Sequence, residues 1–368
     1  MFNIVKNVGA IVQIEETKID YQTFRLHYIC TVGFLLVFFI VITVSQIVGD
    51  PIFCESQDDT RQAINSYCWM HSTYVIPKAF FKEVGKDVPH PGVDGTQDPK
   101  EFFYLTYYQW VFFILFFQAV CFYIPRLLWI TWEGGKMKTL TKDMNNVLLP
   151  EPEFRERFLA LRRYLVKTWT AHDVYAAKYF FCELLTLINV VLQFFLLDLL
   201  FNGKYLDFGV RIIKFYTSAQ YIREMNETQS VKGDPLIMLF PRVTKCIFRK
   251  FGKTSTIEIK DFLCIMSLNA INEKIFVFLW FWFLLLAVLT IITLLMDYFL
   301  MVSPVIRAYA LQTRFYLVDH KAIKKLVRKG SFGDWLILDM IGQNIDHSVF
   351  RDLVPDVAKG ITEYYKKL

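Results

Sequence analysis

Residues 106–129 read TYYQWVFFILFFQAVCFYIPRLLW, and this stretch decides the fold. Tyr107, Tyr108, Gln109 and Trp110 crowd its start, a nearly unbroken apolar run follows, and Pro125 and Arg126 lie near its end. Hydrogen-bonding aromatics at one end of an oily run and a cation at the other suit a helix that crosses a bilayer. Tyr and Trp settle at the headgroup level, where a ring can be apolar on one side and hydrogen-bonded on the other. Arg126 and Trp129 are expected to anchor the far end in the same way. Pro125 lacks an amide proton and crowds the carbonyl four residues back, which predicts a kink near Phe122. In water that costs about 3 kcal/mol; in a bundle, neighbouring helices can satisfy the freed carbonyl.

The remainder of the 368-residue chain repeats the theme, with 54% hydrophobic, 17% aromatic and only 21% charged residues. Soluble domains carry about 45–50% apolar and about 25% charged residues. The excess falls into four blocks, residues 29–48, 107–130, 179–201 and 275–302. Each is near or above the ~20 residues that a helix rising ~1.5 Å per residue needs to cross ~30 Å of hydrocarbon. The expected fold is therefore an all-α membrane protein, a four-transmembrane-helix bundle. Its ends and connections are an N-terminal segment 1–28, loops 49–106, 131–178 and 202–274, and a tail 303–368 that reads as a helical cytoplasmic domain.

Charge orients the spans. Lys18, Arg25 and His27 precede the first, whereas Asp50, Glu55, Asp58 and Asp59 follow it, so both termini are expected in the cytoplasm. Loop 131–178 and the tail are rich in Lys and Arg, as an inner side should be. Loop 202–274 also holds Arg242, Lys245, Arg249, Lys250, Lys253 and Lys260, yet loops longer than about 60 residues escape the charge rule. Asn226-Glu227-Thr228 within it is a sequon that suits an extracellular place. The N-terminus shows no cleavage site for a signal peptide. Phe2, Val5, Val8 and Val12 recur near helical spacing, so residues 1–14 can form a short amphipathic helix.

Topology sorts the seven cysteines. Cys30, Cys121 and Cys182 fall in or beside spans and read as small hydrophobes. Cys54 and Cys68 lie in one outer loop, Cys246 and Cys264 in the other, and outside the cell such a set reads as a disulfide framework. Four cysteines allow three pairings, and residue types alone do not choose. A metal site would need a second ligand pair with matching spacing, which is missing. Within the third block, Glu183, Thr186, Asn189 and Gln193 share a helical face and are expected to make interhelical hydrogen bonds. Asp198 and Asp297, nearer the span ends, are expected to reach the headgroups. In the tail, apolar residues from Leu326 to Ile341 suggest amphipathic helices broken at Gly330 and Gly333. No P-loop, HExxH or nucleophile elbow occurs, so no enzyme, cofactor, metal or nucleic-acid partner is expected.

Longer motifs then carry a resemblance. Tyr108-Gln109-Trp110-Val111 is similar to the signature of the innexins, the invertebrate gap-junction proteins. FRLHY, GDPIFC, YCWMHSTY, HPGV, WEGGKM, FPRVTKCIFRKFG, NEKIFVFLWFWF and GDWLILDMIGQNID resemble innexin segments in innexin order, across nearly the whole chain. Two cysteines per outer loop look like innexins and pannexins, whereas connexins carry three. Met266-Ser267 and Lys253-Thr254-Ser255 depart from the family pattern, both in the second outer loop.

The resemblance implies homo- or hetero-octameric hemichannels that dock end to end between adjacent plasma membranes and pass ions and small metabolites. It places the N-terminal segment at the pore entrance, with Phe2, Asn3 and Lys6 along the path. It also implies Cys54 paired with Cys264 and Cys68 with Cys246. The competing readings are an undocked, pannexin-like hemichannel and a non-channel adhesion protein. Against the latter, the chain has neither the Cys-Cys-Gly of tetraspanins nor the Trp-rich first loop of claudins.

Overall fold

A computed structural model describes residues 17–56, 61–96, 98–142, 144, 150–218, 221, 232–252 and 254–367. In chain order the first helices are α1 Gln22–Val48, α2 Arg61–Met70, α3 Val111–Glu133, α4 Lys136–Leu140, α5 Glu151–Lys167 and α6 Asp173–Leu200. There follow α7 Phe208–Tyr216, α8 Pro235–Leu239, α9 Ser267–Val302, α10 Pro304–Arg314, α11 His320–Lys329, α12 Phe332–Asn344 and α13 His347–Lys367. Helices α1, α3, α6 and α9, of 27, 23, 28 and 36 residues, are long and apolar enough to cross a membrane. In hydrocarbon a helix satisfies its own backbone, which is why the four apolar blocks take this form.

The helices run past the apolar blocks. α9 starts at Ser267, because its first polar turns are held by protein. Buried Asn269 donates through Nδ2 to the Pro241 carbonyl at 2.7 Å, and buried Glu273 accepts from Arg242 at 3.0 Å and Lys274 at 2.7 Å. Asp198 accepts the amides of Tyr205 and Leu206, at 2.9 and 3.0 Å, and so fixes the turn after α6 instead of reaching headgroups.

The chain divides into two compact units. One comprises Ile29–Phe122 and Ile188–Ala287 and carries a five-stranded antiparallel sheet that the sequence reading did not assign. Strands β1 Phe53–Cys54, β2 Thr73–Val75, β3 Phe103–Leu105, β4 Val243–Phe251 and β5 Ile257–Ile265 stand in the order β1-β5-β4-β2-β3. The long β4–β5 hairpin pairs Val243 with Ile265 at its base and Phe251 with Ile257 near its tip.

The other unit comprises Met1–Tyr28, Tyr123–Leu187 and Val288–Leu368. Its core gathers Trp129, Leu165, Tyr179, Leu326, Ile337 and Leu353 among others. Arg126 and Trp129 do not face headgroups here; both are buried. Arg126 bonds Asp20 at 2.8 Å and the Trp129 indole donates to the Ile19 carbonyl at 2.9 Å. Arg25 reaches the second Asp20 oxygen at 2.6 Å, so one fully buried carboxylate holds two guanidinium groups. Next to it, Tyr21 donates its hydroxyl to Asp339 at 2.7 Å, and Arg314 pairs with the same carboxylate. Burial and the Asp339 charge hold the Tyr21 phenol well above its ordinary pKa, so it stays a donor. His27 bonds Thr290 at 2.8 Å, and Thr23 bonds Thr293 at 2.9 Å.

The tail packs on the segment before α6. Asp334 accepts from the Thr170 amide at 3.0 Å and sits 2.7 Å from His172 Nδ1, while it caps α12 together with Ser331. Thr170 is held at φ 73°, a left-handed conformation costly for a β-branched residue unless neighbours enforce it. Gly330 ends α11 as expected. Gly333 does not break a helix: it lies inside α12, where a Cβ would come within 2.3 Å of the His172 backbone. The glycine is there for close approach. Thr186 donates to the Glu183 carbonyl at 2.7 Å and Gln193 to Asn189 at 3.1 Å, both within α6 and not between helices. Glu183 does bond between helices as expected: its carboxyl is hydrogen-bonded to that of Asp297 of α9, and both are buried, so Asp297 does not reach the headgroups.

Removing Asp20 would take from two guanidinium groups, one of them buried, the carboxylate that they share. The expected cost of Asp20→Ala is about 3–5 kcal/mol, read as a lower melting temperature of the purified protein in detergent. An unchanged melting temperature would show that the shared carboxylate is dispensable to both arginines.

Candidate functional site

The chemistry-bearing residues of the sheet unit converge where α2, β1, β4 and β5 meet. Cys54 and Cys264 are directly opposed cross-strand partners on β1 and β5. Their sulfurs are bonded at 2.01 Å. Cys246 on central strand β4 projects from the face it shares with Thr244, and its sulfur is bonded to Cys68 of α2 at 1.99 Å. The structure thus brings together all four loop cysteines and ties loop 49–106 to loop 202–274 twice. All four are buried, packed with Ile52 and Ile64 and flanked by Tyr67, Trp69 and Phe262. Asn65, one helical turn before Cys68, accepts the Cys54 amide at 2.9 Å and so links both bridges.

The sulfurs of Cys54, Cys68 and Cys264 lie within 4.8 Å of one another, near enough for a metal if they were thiolates. In disulfides they have no thiolate to offer. The three remaining cysteines, Cys30, Cys121 and Cys182, are free thiols.

The stretch that opens α3 is part of this cap. Tyr107 and Tyr108 are buried, against the expectation that they sit among headgroups. A turn of 3-10 helix, Tyr107–Gln109, presents the polar groups of Tyr108 and Gln109 to the loop. The Tyr108 hydroxyl reaches the Cys68 and His71 carbonyls at 3.3 and 3.1 Å, and Gln109 Nε2 reaches the Trp69 and Met70 carbonyls at 2.5 and 3.0 Å. These groups catch the free carbonyls at the end of α2, which carries Cys68. Trp110 alone of the four is exposed, as an interfacial ring would be.

Ion pairs complete the cap. Lys245 of β4 pairs with Asp261 of β5 and donates to the Asp94 carbonyl at 3.0 Å; Tyr74 of β2 donates to Asp261 at 3.1 Å. The cations of loop 202–274 that seemed misplaced are in part spent on such contacts. Sequence reasoning missed the sheet, although a signal was present. In VTKCIFRKF and IEIKDFLCI apolar and polar residues alternate at many positions around a Gly-Lys-Thr-Ser turn, the pattern of a hairpin.

Pro125 is buried inside α3, which continues through it as one helix. Phe2, Asn3, Lys6 and Asn226 lie outside the described residues.

Four helices fit to cross a membrane, with two cysteine-bearing loops joined by buried disulfides, define a multi-pass protein whose loops are tied together. The chain belongs to the innexin family, matching it over residues 20–361. Innexins are gap-junction channel proteins. It is similar to innexin shaking-B of Drosophila melanogaster, at 41% identity over 97% of this chain and 94% of that protein. It is also similar to innexin inx2 of Schistocerca americana, at 39% identity over 98% of both chains. Innexin inx1 of Drosophila melanogaster is 35% identical, again over 98% of both.

Each bridge should contribute about 2–4 kcal/mol to the local fold. Losing one, in Cys68→Ser/Cys246→Ser, should speed amide exchange across β4, β5 and α2 while α3 and α9 keep their protection. Non-reducing peptide maps should contain Cys54–Cys264 and Cys68–Cys246 peptides. A Cys54–Cys68 peptide would contradict the pairing.

Proposed function

We propose that this chain is one subunit of an octameric hemichannel that docks, loop cap to loop cap, with a hemichannel of the adjacent cell. The carrying observation is the pair of bridges that joins the two cysteine-bearing loops. A surface that must meet a partner end to end gains affinity when its loops are ordered before contact, because association then costs less conformational entropy. Disulfides form in an oxidising space, which supports a reading with these loops outside the cell and both termini in the cytoplasm. The Lys/Arg distribution around α1 supports the same orientation.

Ions and small metabolites pass unchanged down a central pore, and the chain performs no catalysis on them. Phe2, Asn3 and Lys6 line the pore entrance, and subunits of this or other innexins supply the ring. Pro125 sets the bend of α3 that gating uses, since a helix with a missing amide bond deforms there first. Dye transfer between paired cells separates this reading from the undocked hemichannel. Transfer supports docking; uptake by single cells without transfer between pairs would favour the alternative.

Replacing Asn3 with Asp would place one added charge per subunit around a narrow path and should raise cation over anion permeability. Reversal potential in asymmetric salt is the measurement, and an unchanged value would remove Asn3 from the pore. Pro125→Ala should restore the missing amide donor, leave insertion intact and alter the voltage or pH response of junctional current. Parental gating would reduce Pro125 to an architectural role.

A further inference from the structure

Helix α10 begins two residues after α9 ends, and its outer face is unlike that of its neighbours. Ser303 and Pro304 break the helical run after Val302; the Ser303 hydroxyl accepts the Ile306 amide at 3.4 Å, and Pro304 takes the first helical turn. The inner face is fully used. Arg307, Ala308 and Leu311 are buried, and the Arg307 carbonyl accepts the Trp335 indole N–H at 3.0 Å. On the outer face Val305 is 75% exposed, Ile306 40% and Tyr309 66%, and just past the helix Tyr316 is 75% and Leu317 47% exposed.

From Pro304 to Val318 the charged residues are Arg307, which is buried, and Arg314, which pairs with Asp339. The other helices of this unit look different. The exposed positions of α11 are His320, Lys321, Lys324, Lys325, Arg328 and Lys329, and those of α13 include Arg351, Asp352, Lys359 and Glu363. Those are faces built for water. α10 has the same amphipathic build with its outer charges replaced by aliphatic and phenolic groups. Its exposed stripe also continues that of α9, where Leu295, Tyr298, Phe299 and Val302 are exposed at helical spacing.

We propose that the outer face of α10 lies in the lipid interface of the leaflet where α9 ends, with the bilayer itself as its partner. This rests on α9 being a membrane span. Val305 and Ile306 meet the upper acyl chains, and the phenols of Tyr309 and Tyr316 meet the headgroups, the level that amphipathic rings prefer. The short Ser303-Pro304 break makes this placement geometrically natural, because the helix starts where the span reaches the interface. A second copy of the chain could cover the same face, but the continuous lipid-type stripe favours lipid, and the one exposed cation of α10, Arg314, lies at its far end and is paired with Asp339.

The test uses the full chain in phosphatidylcholine nanodiscs, with Cys30, Cys121 and Cys182 replaced by Ala and a nitroxide at Ile306→Cys or Tyr309→Cys. Lys324→Cys on α11 is the control. The ratio of oxygen to nickel-chelate accessibility should be several-fold higher at 306 and 309 than at 324. A ratio equal to the control would place the face in water, and protection from both reagents would place protein over it; either overturns the proposal. Should these variants not assemble, a phospholipid bearing a diazirine high on its acyl chain can be photolysed with the unaltered protein. Crosslinks within residues 304–317 support the proposal, and crosslinks on α9 without any there overturn it.

Discussion

A chain that crosses hydrocarbon must satisfy every backbone amide and carbonyl within itself, and the rest of this structure follows from that constraint. The four apolar blocks form helices because no irregular backbone is tolerated there. Strands, turns and caps are therefore confined to the connections. The sheet sits wholly in loops 49–106 and 202–274, and the short helices of the tail lie beyond the last span.

Each unit stabilises its ends by a different chemistry. In the sheet unit, the loops bury apolar side chains of their own, such as Ile76, Phe208 and Phe240, and add two buried disulfides and the carbonyl contacts of Tyr108 and Gln109. Covalent closure limits the freedom of such long loops in the unfolded chain. The other unit has a large apolar core and uses it to bury charge. Asp20 with Arg25 and Arg126, and Asp339 with Arg314 and Tyr21, are placed where unpaired charge would be costly, so each pair fixes one arrangement of the segments it joins. The first contributes rigidity to the loop surface, the second joins the start of α1 to the tail.

Both ends of α3 show how one residue type can serve two purposes. Tyr, Gln, Arg and Trp at the ends of an apolar run suit headgroups and suit hydrogen bonds to protein equally well. Here Trp110 is exposed, whereas Tyr107, Tyr108, Arg126 and Trp129 are buried against neighbouring segments. The same holds for Gly333, whose composition signal is that of a breaker although its task is to admit the His172 backbone.

The sequence by itself determined the four helices, since length and hydropathy are local properties, and it determined the innexin family through ordered motifs along nearly the whole chain. It also marked Cys54, Cys68, Cys246 and Cys264 as a set. The family resemblance implied how those four pair, but only tertiary structure shows how the partners meet. Cys54 opposes Cys264 through the register of β1 on β5, Cys246 reaches Cys68 because α2 packs on β4, and Asp20 finds Arg126 across 106 positions of sequence. Those partners are brought together by pairing and packing between distant segments, and no local pattern of residues encodes a distance in space.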